Sequence, residues 1–375
     1  MPLADESLFS WVDHLAYTYS IDRPTMMRVL GLPVKNVHAF KLSQLTARLT
    51  PSEARQLEAA TGLPQDELSL LTVDGVADNN YDRDRGTDTA KEAWAFCPKC
   101  LTPAGRWPLW WYESWAVLCP IHQTYLVSYC PDCESPFRPA DLRGDTPGMC
   151  SGFLGHPYDG QPGPSGRRPK RKRCNRPMWE INTTPVADPS LFEIHHRLQY
   201  FMTRGNRQQR HSPSQWLCDF HTVRRLVSRW TTVRSFSSPD PTLQARFSGK
   251  PDWESGWSQS SSGFLEPIKL VSLGGFRTGY MRRDPITEAC EISAVGQIVL
   301  SRDMETSAHS TLTIRHPVEL AKFKEGFRIF YPIAASPALD GILNDLLGEQ
   351  GFTALTEHRV KALRRSRQRS ADKQG

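Results

Sequence analysis

Apolar residues recur at helical spacing from the start of the chain. Leu8, Trp11, Val12, Leu15 and Tyr19 fall at i, i+3, i+4, i+7 and i+11, one stripe of an α-helix that leaves Asp13 and His14 outside it. A second short helix is expected after Asp22, with Pro24 in its first turn and Gly31 as its stop. Thr50-Pro51-Ser52-Glu53 reads as an N-cap, an N1 proline and a capping-box glutamate, and Gly62 suits the end of that helix. Leu57, Ala60 and Leu63 then lead into another short helix over 64–71. Two helices joined at 60–63 have the form of a helix-turn-helix, but a plain helical hairpin is as common. The second helix opens with Asp66 and Glu67 and holds no Lys or Arg, so it is poorly suited to a phosphate-lined groove. A protein-binding or structural version of the motif is favoured over a DNA reader.

The carboxy-terminal half is patterned mostly for helix. Leu191, Ile194, Leu198 and Phe201 share a face over 190–202, and Trp216, Leu217, Phe220, Val223, Leu226, Val227 and Trp230 do so over 213–233, with Arg224, Arg225 and Arg229 opposite. Residues 234–263 are rich in Ser, Gly and Pro, carry Trp253 and Trp257, and read as a linker. Short apolar helices are expected near 285–300, 317–330 and 338–348, the last bounded by Pro337 and Gly348, with a basic helix over 356–369.

Composition bounds this picture. The 375 residues, 39% hydrophobic and 23% charged, can bury a core and divide into two or three domains. The longest apolar runs are a few residues, far short of the roughly 18–20 that a membrane span needs. The amino terminus has neither the basic nor the apolar region of a secretory signal, so a cytoplasmic, bacterial protein is expected.

The net charge of +6 is unevenly placed: residues 1–90 carry 8 basic and 13 acidic side chains. Arg167, Arg168, Lys170, Arg171, Lys172, Arg173 and Arg176 form one acid-free basic run. Arg359, Lys361, Arg364, Arg365, Arg367, Arg369 and Lys373 dominate a tail over 359–375. Such runs are either solvated segments or phosphate contacts for nucleic acid, and composition cannot make them read a base sequence.

The nine cysteines mostly cluster. Cys97-Pro98-Lys99-Cys100 is a CxxC knuckle, and Cys119-Pro120-Ile121-His122 follows with eighteen residues between. Three thiols and an imidazole suit tetrahedral Zn²⁺ with no open position. Cys130-Pro131-Asp132-Cys133 is a third knuckle, for which Cys150 and Cys174 are the thiols downstream, with His156 as a substitute. A redox reading is a poor rival, because three knuckles in 37 residues exceed one dithiol site. Catalytic zinc is disfavoured for want of an HxE or HExxH pattern. Trp94, Trp107, Trp110, Trp111, Tyr112 and Trp115 surround the first two knuckles; packing about the metal is favoured, with a partner-facing role as the alternative. Cys218 and Cys290 read as buried small hydrophobes. The expected fold is therefore mainly α with small β zinc ribbons. It comprises a helical, helix-turn-helix-like domain over 1–90, a tandem zinc-ribbon block over 91–180 with a basic loop at 160–176, and a helical region over 181–375.

Glu6-Ser7-Leu8-Phe9-Ser10-Trp11 followed by Leu15-Ala16 resembles the start of TniQ proteins. The series Cys97-Pro98-Lys99-Cys100, an aromatic-rich spacer, Cys119-Pro120-Ile121-His122, Leu126 and Cys130-Pro131-Asp132-Cys133 resembles their zinc-finger block. The resemblance covers roughly residues 5–180. It departs at the end of the block, where relatives place two closely spaced cysteines often followed by Gly, whereas Cys150 and Cys174 are 24 apart and Asn175 follows. Either the second site holds a long basic loop or it is degenerate.

The resemblance implies a non-enzymatic target-selection adaptor of a Tn7-like transposon. Such an adaptor links a target reader, either DNA itself or an RNA-guided CRISPR complex, to the AAA+ ATPase (TnsC/TniB-like) that recruits the transposase; homodimers fit the family. Two structural zinc ions are expected, on Cys97, Cys100, Cys119 and His122 and on Cys130, Cys133, Cys150 and Cys174. Arg167, Arg168, Lys170, Arg171, Lys172, Arg173, Arg364, Arg365 and Arg367 are the expected nucleic-acid contacts. The rivals are a zinc-ribbon transcription regulator and a metal-dependent nuclease or transposase. Asp82, Asp84 and Asp88 cluster, but in a Gly/Asn-rich stretch better explained as a solvated linker than as Mg²⁺ ligands.

Overall fold

The computed structural model describes residues 1–32, 45–46, 48–72, 95–101, 105–113, 115–135, 137, 147–154, 172–204, 216, 219–220, 222–224, 227, 231–233, 285–314 and 336–345. Among these the secondary structure is mostly helical, with a few short strands. The chain divides into two compact units, one of Met1–Ala187 with Ser255–Glu288 and the other of Asp188–Glu254 with Ala289–Gly375.

In the first unit, α1 (Leu8–Thr18) starts at Ser7, whose side chain accepts from the Ser10 amide, and buries Leu8, Trp11 and Val12. Two residues depart from the expected stripe. Tyr19 is exposed, and Asp13, expected on the polar side, is buried. The reason is Arg23 at the start of α2 (Arg23–Val29): its Nε and Nη2 donate to the two Asp13 carboxylate oxygens at 2.5 and 2.7 Å. A bidentate fork of this kind compensates a carboxylate withdrawn from water. Asp22 caps α2, Pro24 sits in its first turn, and Gly31 turns the chain with φ +71°.

Helix α3 (Pro51–Thr61) has the full capping box: Thr50 Oγ1 accepts from the Glu53 amide at 3.2 Å, and Glu53 accepts from the Thr50 amide at 2.9 Å. Gly62 ends it in the left-handed conformation, and α4 (Gln65–Ser69) follows. The hairpin buries Leu57, Leu63 and Leu68 and leaves Asp66 and Glu67 exposed.

The core that these helices build does not stop at residue 72. One hydrophobic cluster runs from Leu8, Phe9 and Trp11 through Leu57 and Leu68 to Phe96, Trp107, Trp111, Phe137 and Met178. Phe96 is its hub, with ring centroids 5.3 Å from Trp107 and 4.7 Å from Phe137.

In the second unit, α5 (Pro189–Arg204) buries Leu191 and Leu198 as expected, and also His195. Helix α6 (Pro285–Val299), which belongs to this unit from Ala289 onward, is buried on nearly all sides from Ala289 to Gly296, consistent with its apolar composition. It is followed by α7 (Met304–Thr311) and by α8 over residues 337–345. Strand β3 (Thr231–Val233) pairs antiparallel with β4 (Leu312–Ile314). The helix expected to continue to 233 therefore ends before Thr231, where three β-branched residues in a row favour extended backbone. The expected linker at 234–263, the helices at 317–330 and 356–369, and the basic tail lie outside the described residues.

Candidate metal centres

The first cluster is assembled by two tight turns. Phe96 pairs with Val127 through hydrogen bonds of 3.0 and 2.8 Å, which fixes the entry to the first knuckle; the knuckle's turn closes through the Cys100 and Leu101 amides on the Cys97 carbonyl. The second knuckle is the turn of a hairpin between β1 (Leu118–Cys119) and β2 (Thr124–Tyr125). Gln123 adopts φ +53° there, and its amide reaches the Cys119 carbonyl at 2.9 Å. His122 Nδ1 thereby lies 3.4, 3.1 and 3.6 Å from the sulfurs of Cys97, Cys100 and Cys119.

The second cluster uses the same device, plus a longer reach. The third knuckle closes through the Glu134 amide on the Cys130 carbonyl at 2.9 Å, with Glu134 at φ +54°. Cys150 and Cys174 come from facing segments of an antiparallel pairing. The Cys150 amide donates to the Arg176 carbonyl at 2.8 Å, the Asn175 amide to Cys150 at 3.0 Å, and the Cys174 amide to Gly152 at 2.8 Å. Further along, the Leu154 amide donates to Lys172 at 2.9 Å. The 24-residue separation is thus closed by pairing, and Cys130–Cys174 and Cys133–Cys150 sulfurs are each 3.6 Å apart. Gly152 is required here, since a Cβ would stand 2.5 Å from Cys133 Sγ and 2.8 Å from Ser135 Oγ.

In each set all four ligand atoms lie within 4.8 Å of one another. A tetrahedral ion held by sulfur at about 2.3 Å spaces its ligand atoms about 3.8 Å apart, so the donor sets fit a metal ion. Protonation supports the same fit. The Cys97 thiol is pushed down to about 2 by hydrogen bonds from Cys100 and Cys119, whereas Cys100 is pushed up by its bonds to Cys119 and Cys97. Cys119 is drawn down by Cys100 but raised overall by Cys97 and burial. In the second set Cys130 is pushed down to about 5 by its hydrogen bond with Cys150, while Cys150 is pushed up by the same bond and by burial. Cys174 is pushed up to about 11, chiefly by burial. Without a cation, a set of packed thiols favours one thiolate and suppresses its neighbours; a divalent cation lets all of them ionise.

The amino-terminal motif from Glu6 to Trp11 has a structural role. Glu6 forms an ion pair with Arg106, and Glu6 Oε1 accepts from Ser10 Oγ at 2.6 Å. Ser10 Oγ in turn accepts from the Trp107 amide at 2.9 Å, and the Ser7 amide donates to the Trp107 carbonyl at 3.0 Å. The motif fastens α1 to the aromatic spacer between the first two knuckles. Trp107, Trp111 and Trp115 in that spacer are buried, so packing is their role; Trp94 lies outside the described residues.

Of the expected nucleic-acid contacts, Arg167, Arg168, Lys170, Arg171, Arg364, Arg365 and Arg367 lie outside the described residues, as does His156. Lys172 and Arg173 are exposed at the end of the 149–154/172–177 pairing. Arg173 stacks over the Phe153 ring at 4.9 Å. Arg176, by contrast, is turned to Asp132 at 3.4 Å.

These features define a helical unit organised around cysteine clusters. Residues 1–126 match the family model TniQ, so that segment is similar to a TniQ domain. The match includes the first cluster and stops before Cys130. No curated protein matches the chain. Among the described residues no helix is long and apolar enough to cross a membrane.

Proposed function

We propose that the protein is a non-enzymatic adaptor for target-site selection, linking a target reader to the AAA+ ATPase that recruits a Tn7-like transposase. The observation that carries this reading is the TniQ match over 1–126 together with the core that joins those helices to the first cysteine cluster. In this reading both clusters hold structural Zn²⁺ in small zinc ribbons: four ligands per ion leave no open position for chemistry, and thiolate-rich tetrahedral sets select zinc. The working layout remains a helical domain over 1–90, a zinc-ribbon block over 91–180 and a helical region over 181–375, in a cytoplasmic protein. The basic residues at 167–173 and 364–367 supply salt-dependent nucleic-acid affinity, for DNA or for an RNA-guided complex.

A pull-down against the cognate AAA+ ATPase tests the adaptor. The intact chain is expected to retain the ATPase and the C97S/C100S variant to lose it. Tight binding of a defined operator with no ATPase interaction would replace the adaptor with a transcription regulator. Robust metal-dependent nicking of plasmid DNA, sensitive to mutation, would make the protein an enzyme.

A further inference from the structure

The second unit carries a third group of metal-ligating side chains, unrelated to the cysteines. Glu305 and His309 are four residues apart and so lie on one face of α7. Asp345 belongs to α8. One ligand atom from each lies within 4.8 Å of the other two, and all three side chains are exposed.

The His309–Asp345 contact, Nε2 to Oδ2 at 2.6 Å, is by itself a surface ion pair, which contributes little in water. It does not account for Glu305. The Glu305 carboxylate is laid against Gly341 of α8, where a Cβ would stand 2.7 Å from Oε2 and 2.8 Å from Cδ. Among the described residues no basic side chain forms an ion pair with Glu305. Two carboxylates are thus gathered beside an imidazole, with a glycine opposite that leaves room for one of them.

We propose that Glu305, His309 and Asp345 form a binding site for a divalent transition ion of the zinc class, clamping α7 to α8. One imidazole with two carboxylates is a borderline donor set. It suits Zn²⁺ better than Mg²⁺ or Ca²⁺, which take oxygen ligands throughout. Three protein ligands at an exposed position leave the remaining coordination to water. The site is independent of the adaptor reading and of the cysteine clusters.

The full-length chain, dialysed to equilibrium against micromolar Zn²⁺, is analysed for bound metal before and after a mercurial that displaces ions from thiolates. One ion per chain is expected to resist the mercurial in the wild type and to be missing in H309A and D345N. E305Q should raise the free Zn²⁺ needed for half-occupancy by at least the roughly tenfold that loss of an outer-shell partner costs. The ions released by mercurial serve as the folding control, since they report the cysteine clusters alone. A wild-type chain with no resistant ion overturns the proposal. So does a resistant ion that persists in H309A and D345N, or half-occupancy unchanged in E305Q.

Discussion

Glu6 is 2% exposed, an unusual place for a carboxylate, and it is held there by Arg106, Ser10 and the Leu3 amide. Removing its charge leaves the guanidinium without its partner. E6Q is therefore expected to destabilise the first unit by about 2–3 kcal/mol, below the roughly 3–5 kcal/mol of a fully buried broken pair because Arg106 reaches water. Urea unfolding followed by tryptophan fluorescence reads this, and a midpoint unchanged from wild type would reject it. Two buried groups of the second unit make opposite contributions to pH dependence. Burial raises Asp219 to about 6, despite the amide of Ser336 donating to it at 3.0 Å. Its native state keeps a proton that the unfolded chain releases, so its stabilising effect is complete below pH 4 and is lost as pH rises through 6. Burial lowers His195 to about 4, so its contribution is complete above about pH 6.5 and is lost as pH falls through 4. Each is worth about 3 kcal/mol, and they offset one another between pH 4 and 6.5. In D219N the stability of this unit should rise with pH across that window, and in H195Q it should fall. Chemical denaturation at pH 4.5 and 6.5 measures both slopes, and equal slopes in the two variants would refute the assignment.

At the scale of elements, the local devices were legible in the sequence and the pairings across distance were not. Asp22 and Thr50 cap helices where the sequence placed their starts, and Gly31 and Gly62 end them, because capping is settled within four residues. The six residues of the three knuckles were legible from their spacing, and the structure gathers them with Cys150 and Cys174 into two sets. What remained open was whether Cys150 and Cys174 meet, because that depends on hydrogen bonds between residues 150–154 and 172–176, which carry no local signature. Strands β3 and β4 escaped for the same reason, being three residues each and paired across a long stretch of sequence. The helix α7 was missed despite a marked start, where Asp303 accepts from the Thr306 amide at 3.0 Å. The pairing beside the second cluster makes a sharp prediction about the basic insertion. Replacing residues 157–170 by a two-residue Asn-Gly turn should leave the metal content unchanged, because the ladder from 150–154 to 172–176 is retained, while the salt dependence of DNA binding weakens. G152A should do the reverse, losing the second ion through the contact with Cys133 Sγ and keeping the salt slope. Loss of metal on excising the loop, or retention in G152A, would contradict this placement of the site.

For the molecule as a whole, the cysteine clusters and the two compact units together determine what depends on what. The first unit has no core separable from its clusters: Cys97, Cys119, Cys130 and Cys150 are themselves in the hydrophobic cluster with Leu8, Trp11 and Trp107. Thiols brought within hydrogen-bonding distance of one another without a cation resist shared ionisation, so on the zinc reading proposed above, removing the ions would turn an attraction among ligands into a source of strain inside that core. The second unit has its own buried set, including Trp216, Phe220, Ile292, Val295, Leu339 and Ile342, and no cysteine cluster among its described residues. Stripping thiol-held metal should therefore abolish the near-ultraviolet circular dichroism of Trp107, Trp111 and Trp115 while leaving a cooperative thermal transition from the second unit. Restoring Zn²⁺ after reduction of the thiols should return the lost signal. A single transition that vanishes entirely on metal removal would mean that the second unit also depends on the cysteine-held ions. Both transitions surviving would mean that the first unit's aromatic core stands without them.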